Sequence, residues 1–241
     1  MNRALYAAAS GMAAQQQNLE TIAANLSNAG VTGFKGGAST FEEIASPSGG
    51  VLGTALTGTR TLFTQGKLVR SGGPFDVALA GDGFFVLENG SKRAYTRAGE
   101  FSRAPDGSVR NAQGWRLSGV HIPDDARDLS VGEDGAVTAT VHGRKTSCGR
   151  VRVAAFASPE SLDSSGGTLF FATRASGAAR AAACGADGEP AVKFGMLEQS
   201  NVTIVDAMME ILAAQRAYEA NAKGVQAADE MMRIADNLQR S

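Results

Sequence analysis

Apolar residues recur at every seventh position at both ends of the chain. The first series is Leu5, Met12, Leu19 and Leu26, with Ala8, Gln15, Ile22 and Ala29 three residues further on. This is the spacing of one apolar helical stripe, broken by a polar residue at Gln15. Residues 3–28 contain no proline and one glycine, Gly11. The pattern predicts a helix of about 39 Å. It should stop near Asn28-Ala29-Gly30, with Gly30 at a positive φ. The far end repeats the logic. Ile204, Ile211, Tyr218, Val225 and Met232 fall seven apart, followed at three by Ala207, Ala214, Asn221, Ala228 and Ala235. Met208, Met209, Leu212, Met231 and Leu238 widen the stripe beyond the reach of one partner helix. Ser200-Asn201 provides an N-cap region for this helix. Two long helices of the same period predict that the chain ends pair as a coiled coil. Two amphipathic helices lying on one globular core are the alternative.

The middle reads differently. From about residue 59 to 197, short β-prone runs are broken by Gly, Asp and Pro, as in Asp82-Gly83, Pro105-Asp106-Gly107 and Glu133-Asp134-Gly135. Many short strands at this spacing predict an antiparallel sandwich or barrel-like domain. Residues 36–58 are rich in Gly, Ser and Thr and read as a flexible connector. The predicted fold class is therefore α+β: long N- and C-terminal helices that pair, with an all-β domain inserted between them. The predicted boundaries are 1–35 and 198–241 for the helical part, 36–58 for the connector and 59–197 for the β domain.

Composition removes several functional classes. There are 23 basic against 24 acidic residues, a net charge of −1, which lacks the basic excess of a nucleic-acid binder. No apolar run approaches the ~18 residues of a membrane span. The apolar residues near the N-terminus belong to the seven-residue pattern, which argues against a cleaved signal peptide. Cys148 and Cys184 are too few for a disulfide framework; one bond between them stays open.

Several segments carry a specific resemblance. Residues 22–35, Ile-Ala-Ala-Asn-Leu-Ser-Asn-Ala-Gly-Val-Thr-Gly-Phe-Lys, resemble the N-terminal signature of the bacterial flagellar rod and hook protein family. Ala24 stands where that signature has its first Asn, and Thr32 abuts Gly33 directly. Leu197-Glu198-Gln199-Ser200-Asn201-Val202 and Gln215-Arg216-Ala217-Tyr218-Glu219-Ala220-Asn221 resemble its C-terminal signature. Asp82-Gly83-Phe84-Phe85-Val86 and Tyr95-Thr96-Arg97-Ala98-Gly99-Glu100-Phe101 resemble its β-domain motifs. The resemblance implies a structural subunit that assembles through its terminal helices into the helical axial shaft of the flagellar basal body and transmits torque. It implies partners in further copies of the chain, neighbouring rod proteins and the flagellar export apparatus, with no cofactor. It also implies a periplasmic rod location reached without a cleaved signal. The length suits the proximal rod member of the family, and next the distal one.

The residues expected to carry assembly are Leu5, Met12, Leu19, Ile22, Leu26, Ile204, Met208, Met209, Ile211, Leu212, Tyr218, Val225 and Met232. Gly30, Gly33 and Phe34 are expected to form the turn after the first helix, with Gly33 most in need of a positive φ. No catalytic, cofactor or metal site is expected. Asp76, Asp82, Asp124 and Asp125 have no base or nucleophile placed beside them by any motif, and His121 and His142 stand at no ligand spacing. The competing reading is a soluble β-domain binding module that its terminal helices merely dimerise.

Overall fold

A computed structural model describes the backbone of residues 3–45, 51–164, 167–185 and 190–240, and the side chains of 5–44, 53–164, 167–185, 190–234 and 237. Two helices flank a large antiparallel β region, so the class is α+β. The chain divides into two compact units. One contains residues 1–28, 37–62 and 202–241, and the other residues 29–36 and 63–201.

In the first unit, helix α1 spans Arg3–Ser27 and helix α2 spans Ile204–Arg240. α1 ends where the Asn28 N–H and its side-chain amide both turn back to the Ala24 carbonyl, at 3.2 and 2.8 Å. Gly30 is not among the residues with positive φ, so its expected role as the helix stop is corrected; Asn28 closes the last turn instead. The N-cap of α2 also differs from expectation. Thr203, rather than Ser200-Asn201, accepts the Asp206 N–H on its hydroxyl at 3.1 Å, and Asp206 places its charge at the positive end of the helix.

The helices run antiparallel. Ile22 packs with Ala207 and Ala214, flanked by Leu19, Leu26, Val202 and Ile211. Towards the other end of α1, Gly11 lies against Asn221 and Ala8 against Gly224. Small residues at these points let the backbones approach closely.

From residue 37 on, the described residues of the expected connector 36–58 form paired strands instead. Strand β1 (Gly37–Ala45) pairs antiparallel with strand β2 (Val51–Thr61), from Gly37↔Thr61 to Ala45↔Val51. Residues 46–50 of the expected connector lie outside the described residues. The Gly/Ser/Thr content suggested flexibility, but Phe41, Ile44, Leu56 and four threonines in β2 favour extended backbone. This hairpin lies along α1. The Asn25 amide donates to Gly37 O at 2.7 Å and its carbonyl accepts Gly37 N–H at 2.8 Å. The Thr54 N–H donates to Ser10 Oγ at 3.2 Å. Gly53 makes room for that hydroxyl, because a Cβ there would meet it at 2.1 Å.

The second unit is built on an antiparallel sheet. Its main path runs from Arg127–Val131 through Ala136–Val141, Arg144–Arg150, Arg116–His121, Phe84–Asn89 and Val153–Ala155 to Arg180–Ala182. The first and last of these strands are not paired to each other, so no closed barrel forms. Two further ladders join the ends of the domain sequence: Ala191–Phe194 with Val77–Ala80, and Met196–Glu198 with Leu68–Arg70. Leu79, Phe85, Leu87, Val137 and Val192 fill the main core. A second cluster places Phe63 edge-on to both Phe84 and Phe170, with ring centroids 5.1 and 5.0 Å away. Cys148 is buried, Cys184 is half-buried, and both reach the main core.

Phe85 is fully buried. Phe85→Ala is therefore expected to lower the stability of the β unit by about 3–5 kcal/mol, measured as urea unfolding followed by Trp115 fluorescence.

Candidate functional site: the helical seam and the motif junction

The helices carry the expected assembly residues, sorted into three environments. Ile22 is buried. Leu5, Met12, Leu19, Leu26, Ile211 and Val225 are half-buried. Ile204, Met208, Met209, Leu212, Tyr218 and Met232 are exposed, with Ile204, Met208, Met209 and Leu212 each between 55% and 57%. The reason lies in the two rows of α2. Its small row, Ala207, Ala214 and Ala228, is the buried one. Close approach selects alanine for the contact, so the large row falls on the flank. The result is an apolar strip on α2 that also includes Val205, Met231 and Ile234. The side chains of Ala235 and Leu238 lie outside the described residues. Large exposed apolar patches are the kind of surface that protein–protein contacts use.

A second constellation was not anticipated from the sequence. Glu198 is completely buried and gathers three segments of the β unit. Its Oε1 accepts from Lys35 Nζ at 2.5 Å and from the Gly66 N–H at 2.9 Å. Its Oε2 accepts from the Arg97 guanidinium at 3.3 Å. Its backbone carbonyl accepts the Gly33 N–H at 2.7 Å. Lys35 Nζ also donates to Thr64 O at 2.7 Å, and its side chain is wholly inaccessible to solvent.

Two cations and one carboxylate therefore share a buried site. Burial pulls the Lys35 ammonium below its ordinary value, against the pull of Glu198, and likewise lowers Arg97. The Arg97 guanidinium lies 5.5 Å from the centre of the Phe84 ring, a cation–π contact. Asn201 extends the network. Its side chain accepts the Gly36 N–H at 2.8 Å and donates to Thr64 Oγ1 at 2.9 Å.

Gly33 belongs to this junction. It sits at φ +67°, and a Cβ would meet the Ala98 backbone nitrogen at 2.3 Å. Phe34 is half-buried beside it, and its carbonyl accepts the Asn201 N–H at 3.4 Å. Gly30 is exposed with nothing near its missing Cβ. Three of the resembling motifs, residues 22–35, 95–101 and 197–202, thus contribute one buried charge each: Lys35, Arg97 and Glu198. The available signal was a charged residue beside an apolar one in each of these three: Phe34-Lys35, Arg97-Ala98 and Leu197-Glu198. The pairing itself spans 163 residues in one case and 101 in the other.

The aspartates and histidines form no reactive grouping. Asp76 is buried and accepts from the Ser71 hydroxyl. Asp125 faces His142 at 3.5 Å on the surface. Among the described residues no cluster of three or more His, Cys, Asp or Glu could hold a metal ion, and no helix is long and apolar enough to cross a membrane.

Comparison with known proteins follows the same three segments. Residues 5–35 match the family model described as flagella basal body rod protein. Residues 78–139 match the flagellar hook protein FlgE/F/G D1 domain, and residues 194–238 the C-terminal model of the flagellar basal body rod FlgEFG proteins. Lys35, Arg97 and Glu198 fall one in each. The chain is 35% identical to the basal-body rod protein FlgG of Borreliella burgdorferi, over the whole of both chains. It is 34% identical to FlgG of Caulobacter vibrioides, covering 98% of this chain and 99% of that one. It is 30% identical to FlgF of Caulobacter vibrioides, covering 98% and 97%.

Two outcomes test the junction. Glu198→Gln should destabilise the β unit by about 3–5 kcal/mol, because it leaves buried cations without a counter-charge. Replacing the whole cluster by Lys35→Met, Arg97→Leu and Glu198→Leu should cost less than that single change. Equal or larger loss in the triple variant, by urea unfolding, would show that Glu198 acts through packing alone. Gly33→Ala should destabilise by more than about 1 kcal/mol, since the positive φ and the backbone contact both oppose a side chain.

Proposed function

The chain belongs to the flagellar basal-body rod protein family, and we propose that it builds the rod by sharing the apolar strip of α2 with neighbouring copies. It is a structural subunit of the bacterial flagellar basal body. The family is one of structural rod proteins rather than enzymes. The observation that carries the assembly reading is the exposed row Ile204, Val205, Met208, Met209 and Leu212, left over after the small row of α2 is buried. Methionine suits a contact repeated between subunits in slightly different positions, because its side chain is flexible and polarizable. Pairing of α1 with α2 is coiled-coil-like in this reading, and other helices complete the layer. A chain of heterologous contacts propagates as a helical tube until another component caps it. Such a tube acts as a shaft that transmits torque.

Both kinds of rod protein weighed from the sequence are among the relatives. Within Caulobacter vibrioides the identity is 34% to FlgG and 30% to FlgF. This supports the distal FlgG kind over the proximal FlgF kind that the chain length suggested. The partners are then other copies and adjacent rod proteins. Passage through the flagellar export apparatus without cleavage fits an N-terminal segment that forms α1 and lies in the family's own matched region. The rod is periplasmic in this reading.

Met209→Asp combined with Leu212→Asp should abolish swimming in a strain whose own copy is deleted. The purified variant should melt like the parent, because both sites are already exposed. Normal swimming would remove the α2 strip from the assembly surface. The competing binding-module reading predicts a stable dimer at every concentration, whereas a rod subunit grows into larger filaments or rings as concentration rises.

A further inference from the structure

The β unit carries a basic groove that rod membership leaves unexplained. Two clefts, of about 360 and 400 Å³, open on the sheet and share Glu88 and Arg152 in their walls. Arg93 and Arg150 line the first, and Arg116 lines the second. Three of these arginines have local acidic neighbours. Arg116 reaches Glu88 at 3.3 Å, Arg93 reaches Glu88 at 4.0 Å, and Arg150 reaches Asp134 at 3.1 Å. Arg152 is the exception. It is exposed, lines both clefts, and its guanidinium has no ion-pair or hydrogen-bond partner among the described residues. Gly119 leaves space for its side chain, because a Cβ there would lie 3.1 Å from Arg152 Cγ. Four guanidinium groups against two carboxylates leave the groove short of acid. Arginine meets that need best with a second, incoming carboxylate, held in a fork of N–H donors.

The charge of the whole chain indicates where the carboxylate comes from. The helical unit, residues 1–28, 37–62 and 202–241, has six Lys and Arg against nine Asp and Glu, a net of −3. The β unit, residues 29–36 and 63–201, has seventeen against fifteen, a net of +2. Copies of one chain are therefore complementary, unlike unit to unlike unit. Within the acidic unit, Glu42 and Glu43 are adjacent and exposed on β1 and have no partner among the described residues. They stand opposite Ala55 and Thr54, so no cross-strand cation neutralises them. We infer that the Arg152 groove of one subunit receives the Glu42-Glu43 segment of a second copy, as an electrostatic contact between neighbours. This inference rests on the self-assembly reading. The contact is heterologous, so it selects direction and register along the assembly while the apolar strip supplies most of the buried area.

The test uses the full chain in a strain lacking its own copy. The charge-reversing Arg152→Glu should give about tenfold fewer complete rods in purified basal bodies, since like charges then face each other. Adding Glu42→Arg and Glu43→Arg to the same chain should restore rods. Independently, the Arg152→Lys chain keeps the charge. In basal bodies, a zero-length carbodiimide should then join position 152 to Glu42 or Glu43 in a product of twice the chain mass. Failure of the reversed pair to restore rods, together with coupling to any other protein, would overturn the second copy as occupant. Unchanged rod numbers with Arg152→Glu would overturn the groove and leave the rod assignment standing. The rod assignment falls by a different result, normal basal bodies in the deletion strain itself.

Discussion

Buried Glu198 is the constraint on which the β unit depends. A carboxylate taken wholly out of water must be met by cations and N–H donors, or the site costs several kcal/mol. Here Lys35, Arg97 and the Gly66 amide meet it, and they come from three distant parts of the sequence. The requirement works as a selector. Any closure that misplaces residues 33–36, 97 or 198 leaves charge buried without a partner. The flanking ladders Leu68–Arg70 with Met196–Glu198 and Val77–Ala80 with Ala191–Phe194 then fall into one register. Apolar replacements could match the stability of such a cluster, so its contribution is the uniqueness of the arrangement.

The helical unit solves a different problem. The buried centre of its contact between α1 and α2 is Ile22 with Ala207 and Ala214, flanked by half-buried Leu19, Leu26 and Ile211, and small residues such as Ala8, Gly11 and Gly224 bury little area each. The hairpin adds specific hydrogen bonds through Asn25 and Ser10. Most of the large apolar residues of α2, among them Ile204, Val205, Met208, Met209 and Leu212, are left outside, while Ile211 and Val225 are half-buried. An isolated monomer gains little from such an arrangement; in the proposed assembly these side chains are the ones that meet neighbouring copies. The same division appears in the charges, where the acidic unit and the basic unit each retain groups without local partners.

Much of this was legible in the sequence. The period of seven gave both helices and their extents, because a long amphipathic helix is written locally in spacing. The five resembling segments pointed to the family, and turn residues such as Asp106-Gly107 and Asp134-Gly135 pointed to a β-rich middle. The hairpin was missed because Gly, Ser and Thr raise local flexibility, while strand formation there is settled by pairing and by the face of α1. The stop at Asn28 rather than Gly30, and the cap at Thr203 rather than Ser200-Asn201, reflect hydrogen bonds available only once the chain has turned.

What the sequence alone determined, then, is periodicity, class and kinship, each a property of neighbouring residues or of short motifs. Tertiary structure decided which row of α2 is buried, that residues 37–45 and 51–61 become strands, that the sheet stays open, and that Lys35, Arg97 and Glu198 meet. The physical reason is common to all four. Burial and pairing across more than a hundred residues depend on which surfaces come together, and local spacing carries no record of that.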